Sequence, residues 1–135
     1  MVYCFDTDVL SAVLRRDPVL PVIRRLALVR PEDQATTAIT LGELLYGAAR
    51  RGGGLLAGRV RELVTGAIAV LPFDERAAET YGALRADLER AGRRLDEPDL
   101  RIASIAICRG LTLVTGNVRH FGRVPGLELE NWLAT

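Results

Sequence analysis

Three acidic residues stand in surroundings that a merely solvated carboxylate does not need. Asp6 ends the apolar run VYCF, Glu43 sits among leucines in TLGELLYGAA, and Asp99 follows a proline in DEPDLRIA. Gly47 comes one helical turn after Glu43, where a missing side chain leaves room beside the carboxylate. Thr115 and Asn117 follow another apolar run, LTLV, and add a hydroxyl and an amide. Brought together, the three carboxylates would repel one another and raise their own pKa values unless a cation joined them. Oxygen donors with no His or Cys among them point to Mg2+ or Mn2+ rather than zinc. Taken singly, each acid has a plainer use. Asp6 or Asp8 can cap a first helix, and Asp99 can complement a helix dipole, a contribution of about 0.3–1 kcal/mol. The metal reading therefore depends on convergence, and convergence depends on the fold.

Short apolar runs at Val2–Phe5, Ala35–Thr37, Ile68–Leu71 and Leu111–Thr115, with a last one at Leu127–Glu130, read as strands. Between them, apolar residues recur at three- and four-residue intervals over Thr7–Arg15, Pro18–Val29, Leu41–Arg51, Leu55–Thr65, Asp74–Ala91 and Pro98–Arg109, the helical pattern. Gly52-Gly53-Gly54 separates two of these helices. Pro98 at the first helical position and Gly110 past the last are start and stop signals. Strands alternating with helices predict an α/β fold with a mainly parallel central sheet of four to five strands flanked by helices. Ligands of such sheets bind outside the carboxyl ends of the strands. Asp6, Thr115 and Asn117 follow strands directly, Glu43 lies near the start of a helix that leaves a strand, and Asp99 opens a helix that starts at the same edge. All five are expected on one rim.

At 135 residues with 49% apolar content and no internal repeat or long linker, the chain reads as one domain over residues 1–135. No run approaches the ~18–20 apolar residues of a membrane span, and the N-terminus lacks a basic region followed by a long apolar stretch, so a cytoplasmic protein is expected. Cys4 and Cys108 have no metal-ligand spacing and read as buried, reduced thiols. The net charge of +1 excludes nothing about partners. All 18 basic residues are arginine, with doublets at Arg15/Arg16, Arg24/Arg25, Arg50/Arg51 and Arg93/Arg94. Those doublets are either solvated helix faces under a codon bias or grips for phosphate.

The segments FDTDVLS, TLGELLYG, DEPDLRIASIAICRG and LVTGNVRHF, closing with VPGLELENW, resemble the successive motifs of PIN-domain ribonucleases of the VapC toxin type. The resemblance runs along essentially the whole chain. It implies a PIN-like three-layer fold and a metal-dependent endoribonuclease toxin that cuts structured RNA. It further implies a homodimer, silenced by a VapB-like antitoxin in a heterotetramer or larger complex. By position, Asp6, Glu43 and Asp99 match the family's three acidic, metal-holding residues, and Thr115 matches a supporting hydroxyl. The implied mechanism is in-line attack by metal-activated water on a phosphodiester. Two departures stand out. Asn117 falls where the family often has a fourth acid; its amide offers a carbonyl oxygen without charge and can hold metal-bound water. Asp8 stands where the family commonly has Asn; it would restore the charge, but alternate residues near a strand end are expected to point in different directions. His120, the only histidine, reads as a surface or packing residue, with a general-base role as the alternative.

Two other readings compete. An apolar strand followed by DTD also resembles the nucleophile motif of haloacid-dehalogenase phosphatases, yet that family needs a lysine and this chain has none. A catalytically weak module that binds RNA or an antitoxin without cutting is suggested by Asn117, and the three acids together argue against it.

Overall fold

The computed structural model describes residues 1–134. Five strands form one sheet: β1 (Tyr3–Phe5), β2 (Gln34–Thr37), β3 (Ala69–Leu71), β4 (Thr112–Val114) and β5 (Leu129–Glu130). Their order is β3-β2-β1-β4-β5 and every pairing is parallel. Cys4 pairs with Ala35 on one side and Leu113 on the other, so β1 is the middle strand and the point from which the order grows in both directions. A parallel sheet is covered on both faces, and here alternation decides which face each side chain serves. Cys4 and Leu113 go to a core built with Leu84, Leu88, Ile102 and Ile105. Their neighbours Phe5 and Val114 go to the opposite core, with Val9, Val22, Leu44 and Trp132.

The helices are α1 (Thr7–Leu14), α2 (Leu20–Leu28), α3 (Ala38–Arg50), α4 (Gly54–Ala67), α5 (Glu75–Arg90), α6 (Glu97–Cys108) and α7 (Val118–Phe121). The outer two layers follow from the cores: α5 and α6 pack on one face, and α1, α2 and α4 on the other. The ends of α6 have clear chemical causes. Pro98 occupies the second helical position, one later than expected, because Glu97 already has helical backbone. Gly110, at φ 67°, turns the chain out of α6, and the Leu111 N–H closes the end on the Ala106 carbonyl at 2.9 Å.

Several boundaries differ from the sequence reading. α3 starts at Ala38 rather than Leu41, because the Thr37 hydroxyl accepts a 3.0 Å hydrogen bond from the Thr40 N–H and caps the helix as soon as β2 ends. Glu43 therefore lies about a turn and a half into the helix. Two short elements carried no periodic signal, a 3-10 turn at Pro31–Asp33 and the single turn of α7. Both cysteines are free, but only Cys4 is buried; Cys108, at the end of α6, is half-buried.

Because Thr37 fixes where α3 begins, it also fixes how far Glu43 stands from the sheet. Thr37→Ala removes that cap, and we expect urea unfolding to show a loss of about 1 kcal/mol. Unchanged stability would show that α3 is held by packing alone.

Candidate functional site

The site is built from the carboxyl edge outward. Asp6 follows β1 and caps α1, so its backbone is held twice: its N–H donates to the Val114 carbonyl at 2.9 Å, and its own carbonyl accepts from Val9 and Leu10 at the start of the helix. Both side-chain oxygens are used. Oδ1 accepts from the Thr7 N–H at 2.8 Å, and Oδ2 accepts from the Thr115 hydroxyl at 2.7 Å. Only 5% of Asp6 is exposed. Burial pushes its pKa up to about 7; the Thr115 hydrogen bond opposes the rise, and the charges of Asp8 and Asp99 add to it.

Thr115 leaves β4 completely buried, and its oxygen also accepts from the Asn117 N–H at 3.0 Å. Glu43, half-buried on α3, is steadied from across the site, where the Thr7 hydroxyl donates to its Oε1 at 2.7 Å. Thr7 Oγ1 lies 3.2 Å from the Thr40 hydroxyl, which links this carboxylate back to the α3 cap. Asp99 lies in the first turn of α6, half-buried. Burial raises its pKa, the charges of Glu43, Asp96 and Asp8 raise it further, and His120 acts in the opposite sense. Asp6, Glu43, Asp99 and Thr115 thus come to one rim.

Asn117 reaches the same edge as the residue before α7, but its amide oxygen is engaged: it accepts from His120 Nδ1 at 2.6 Å. His120 itself is exposed.

Asp8 lies in the site, contrary to the expectation that it would point elsewhere. Strand alternation stops at Phe5; Asp8 belongs to the first turn of α1, and a helix turn brings it back toward the strand it left. Its Oδ2 accepts from the Gly116 N–H at 2.9 Å, while Oδ1 is buried with no hydrogen-bond partner. Burial is also the leading cause of its raised pKa. Gly116 leaves room for this contact, because a Cβ would stand 2.6 Å from Leu133 Cδ1 and 2.9 Å from Asp8 Oδ2 and would make those side chains move.

Among the described residues, none of Asp6, Asp8, Glu43 and Asp99 forms an ion pair with an arginine. Nor do three acidic, His or Cys side chains form a ready ligand cage among those residues. The acids line a rim, which is how mutually repelling groups stand when nothing neutralises them. The donors are oxygens, the type that Mg2+ and Mn2+ take, and the orphaned Oδ1 of Asp8 fits a cation. Beside Glu43 and Thr7, a groove of ≈ 360 Å3 runs past Ser11, Leu14, Arg15, Gly47 and Val60. The four arginine doublets are all exposed, and of these eight Arg25 alone is in an ion pair among the described residues.

The PIN domain family profile matches residues 3–127. The chain belongs to the PIN-domain family. Within it, this PIN domain is similar to proteins of the VapC type. It is 35% identical over 133 residues to the tRNA(fMet)-specific endonuclease VapC of Salmonella typhimurium, covering 96% of this chain and 97% of that protein. It is 31% identical over 132 residues to ribonuclease VapC2 of Rickettsia felis, covering 98% of each. Its backbone superposes on a chain of the crystal structure of VapBC2 from Rickettsia felis, bound to a DNA fragment from their promoter, with a TM-score of 0.87 at 30% identity, covering 98% of this chain and 99% of that one. The five-stranded parallel sheet is that of a PIN-like fold, and the phosphatase alternative gives way to it. Among the described residues no helix is long and apolar enough to cross a membrane.

The position of Asp6 makes stability depend on pH in a definite direction. Its carboxyl holds its proton up to about pH 7 in the native state, whereas an unfolded chain loses it near pH 4. The native state therefore binds more protons across that window, and stability falls as pH rises through it. The cost is absent below the unfolded value and complete above the native one. Asp6→Asn has no such proton, so urea unfolding at several pH values should show the variant gaining on the wild type from about pH 4 to about pH 7. A difference independent of pH would contradict the assignment.

Proposed function

We propose that this PIN domain is a toxin-type endoribonuclease that uses Mg2+ or Mn2+ to hydrolyse phosphodiesters of cellular RNA. The observation that carries the reading is the rim itself: acidic side chains drawn from α1, α3 and α6, partly desolvated, with no arginine among the described residues to neutralise them. Such a set is unfavourable unless a cation is bound for part of the working cycle. Asp6, Glu43 and Asp99 are the residues that would hold it. A bound divalent cation supplies an activated water and stabilises charge on the leaving oxygen.

The remaining chemistry belongs to the chain. Thr115 holds Asp6 in one rotamer through its hydroxyl, and the Thr7 hydroxyl does the same for Glu43, so two of the acids are aimed before anything binds. Asn117 acts through its backbone, which orients the Thr115 oxygen, and through its amide, which positions His120 at the edge of the rim. His120 stands exposed at that edge, open to solvent and to a bound strand. Exposed arginines, Arg15 in the groove among them, are suited to the phosphates of an RNA strand.

Regulation by a VapB-like antitoxin belongs to the same reading, supported by the likeness to the VapBC2 complex. A guanidinium fork from such a partner pairs well with carboxylates and would exclude the cation. The groove beside Glu43 offers a neighbouring seat for apolar partner residues. Assembly as a homodimer, and as a heterotetramer or larger complex with the antitoxin, is part of the proposal.

The test is cleavage of cellular RNA by purified protein in Mg2+ or Mn2+. Asp6→Asn, Glu43→Gln and Asp99→Asn, made separately, should each lower the rate by about a hundredfold or more while leaving the circular dichroism spectrum native. Rates near the wild type in all three would refute the mechanism. Wild-type protein that leaves every RNA intact would favour a binding module.

A further inference from the structure

We propose that Asp8 is a fourth carboxylate of the cation site, with Oδ1 facing the ion, and that it supplies the charge Asn117 lacks. The proposal rests on the cation reading above and goes beyond it by assigning a ligand outside the three acids.

Four observations carry it. Asp8 shares the rim electrostatically: its charge acts on both Asp6 and Asp99. Its carboxylate is held at one oxygen, since the Gly116 N–H donates to Oδ2 at 2.9 Å and leaves Oδ1 available. That Oδ1 is buried and unpartnered, a costly state for a carboxylate oxygen unless a positive group meets it. Finally, the loop between β4 and α7 is shaped to permit the contact. Gly116 lacks the Cβ that would collide with Leu133 and Asp8 Oδ2, and Asn131 holds the turn carrying Leu133 by accepting from the Leu133 and Ala134 N–H groups at 3.0 and 3.1 Å.

Asn117 is poorly placed for the same task. Its amide oxygen is taken by His120 at 2.6 Å, and it carries no charge to offset a dication. The rim therefore has a neutral side chain on the loop after β4 and an acid three residues beyond β1, and the Gly116–Asp8 hydrogen bond joins the two segments. Leu133 and Gly116 are positioning residues for this ligand; neither touches the ion.

The experiment is Mn2+ binding by isothermal titration calorimetry on the full chain, with the melting temperature followed in the same buffers. Asp8→Asn keeps an oxygen that can accept from Gly116 and removes only the charge, and Asp8→Ser is the second variant should the amide fail to fold. Asp17→Asn, at an exposed carboxylate outside the rim, controls for net charge. We expect the dissociation constant for Mn2+ to rise about tenfold or more in the Asp8 variants and to stay at the wild-type value in Asp17→Asn. The thermal shift on adding Mn2+ should shrink in parallel. Wild-type binding with Asp8 variants unchanged within about twofold would overturn the role of Asp8 and leave the three-acid site standing. No Mn2+ binding by the wild type would overturn both.

Discussion

A carboxylate at the carboxyl end of the middle strand of a parallel sheet has little water to keep it charged, and most of this site follows from where Asp6 has to stand. β1 is hydrogen-bonded on both sides, and Asp6, the residue after it, donates its N–H to the Val114 carbonyl of β4, so it cannot swing out to solvent without breaking that bond. The protein meets the cost in part with two hydrogen bonds, from Thr7 and Thr115, and these do not prevent the carboxyl pKa from rising to about 7. The shortfall is what a cation would make good.

The surrounding structure reads as a set of supports for that one placement. β4 delivers Thr115 to Asp6, α1 returns Asp8 to the same edge, and α3 carries Glu43 close enough for Thr7 to bridge it. Asp6 also caps α1, so the residue with the greatest electrostatic cost starts the helix that brings Asp8 back. The geometry of the rim and the local stability share the same atoms. Even the chain end takes part: Trp132, packed edge-on against Tyr3 and Phe5 of β1, anchors the turn that presses Leu133 onto Gly116.

Much of this was legible from residue order. Asp6, Glu43, Asp99 and Thr115 could be placed on one rim because apolar runs of strand length alternate with helical periodicity, and parallel strands send all their carboxyl ends to one edge. The sheet order and the exact start of α3 were less visible. Thr37 as a cap is indistinguishable in sequence from Thr36, whose hydroxyl instead donates to the Phe5 carbonyl. Asp8 was misplaced because strand alternation was extended past the point where α1 begins. Thr7 carries no signal at all, since its relations to Glu43 and to Thr40 each span more than thirty residues and depend on how α3 crosses α1. α7 is a single turn, too short for any period, yet it decides that Asn117 faces His120.

The central claim is that Asp6 is held near neutrality by burial and by like charges until a cation arrives. Carbon-13 NMR titration of the Asp6 carboxyl, with and without saturating Mg2+, addresses it directly. The account predicts a midpoint near pH 7 without the metal and a drop of about 1 to 3 pH units with it. A midpoint in the ordinary aspartate range without Mg2+, or one that Mg2+ leaves unmoved, would contradict it.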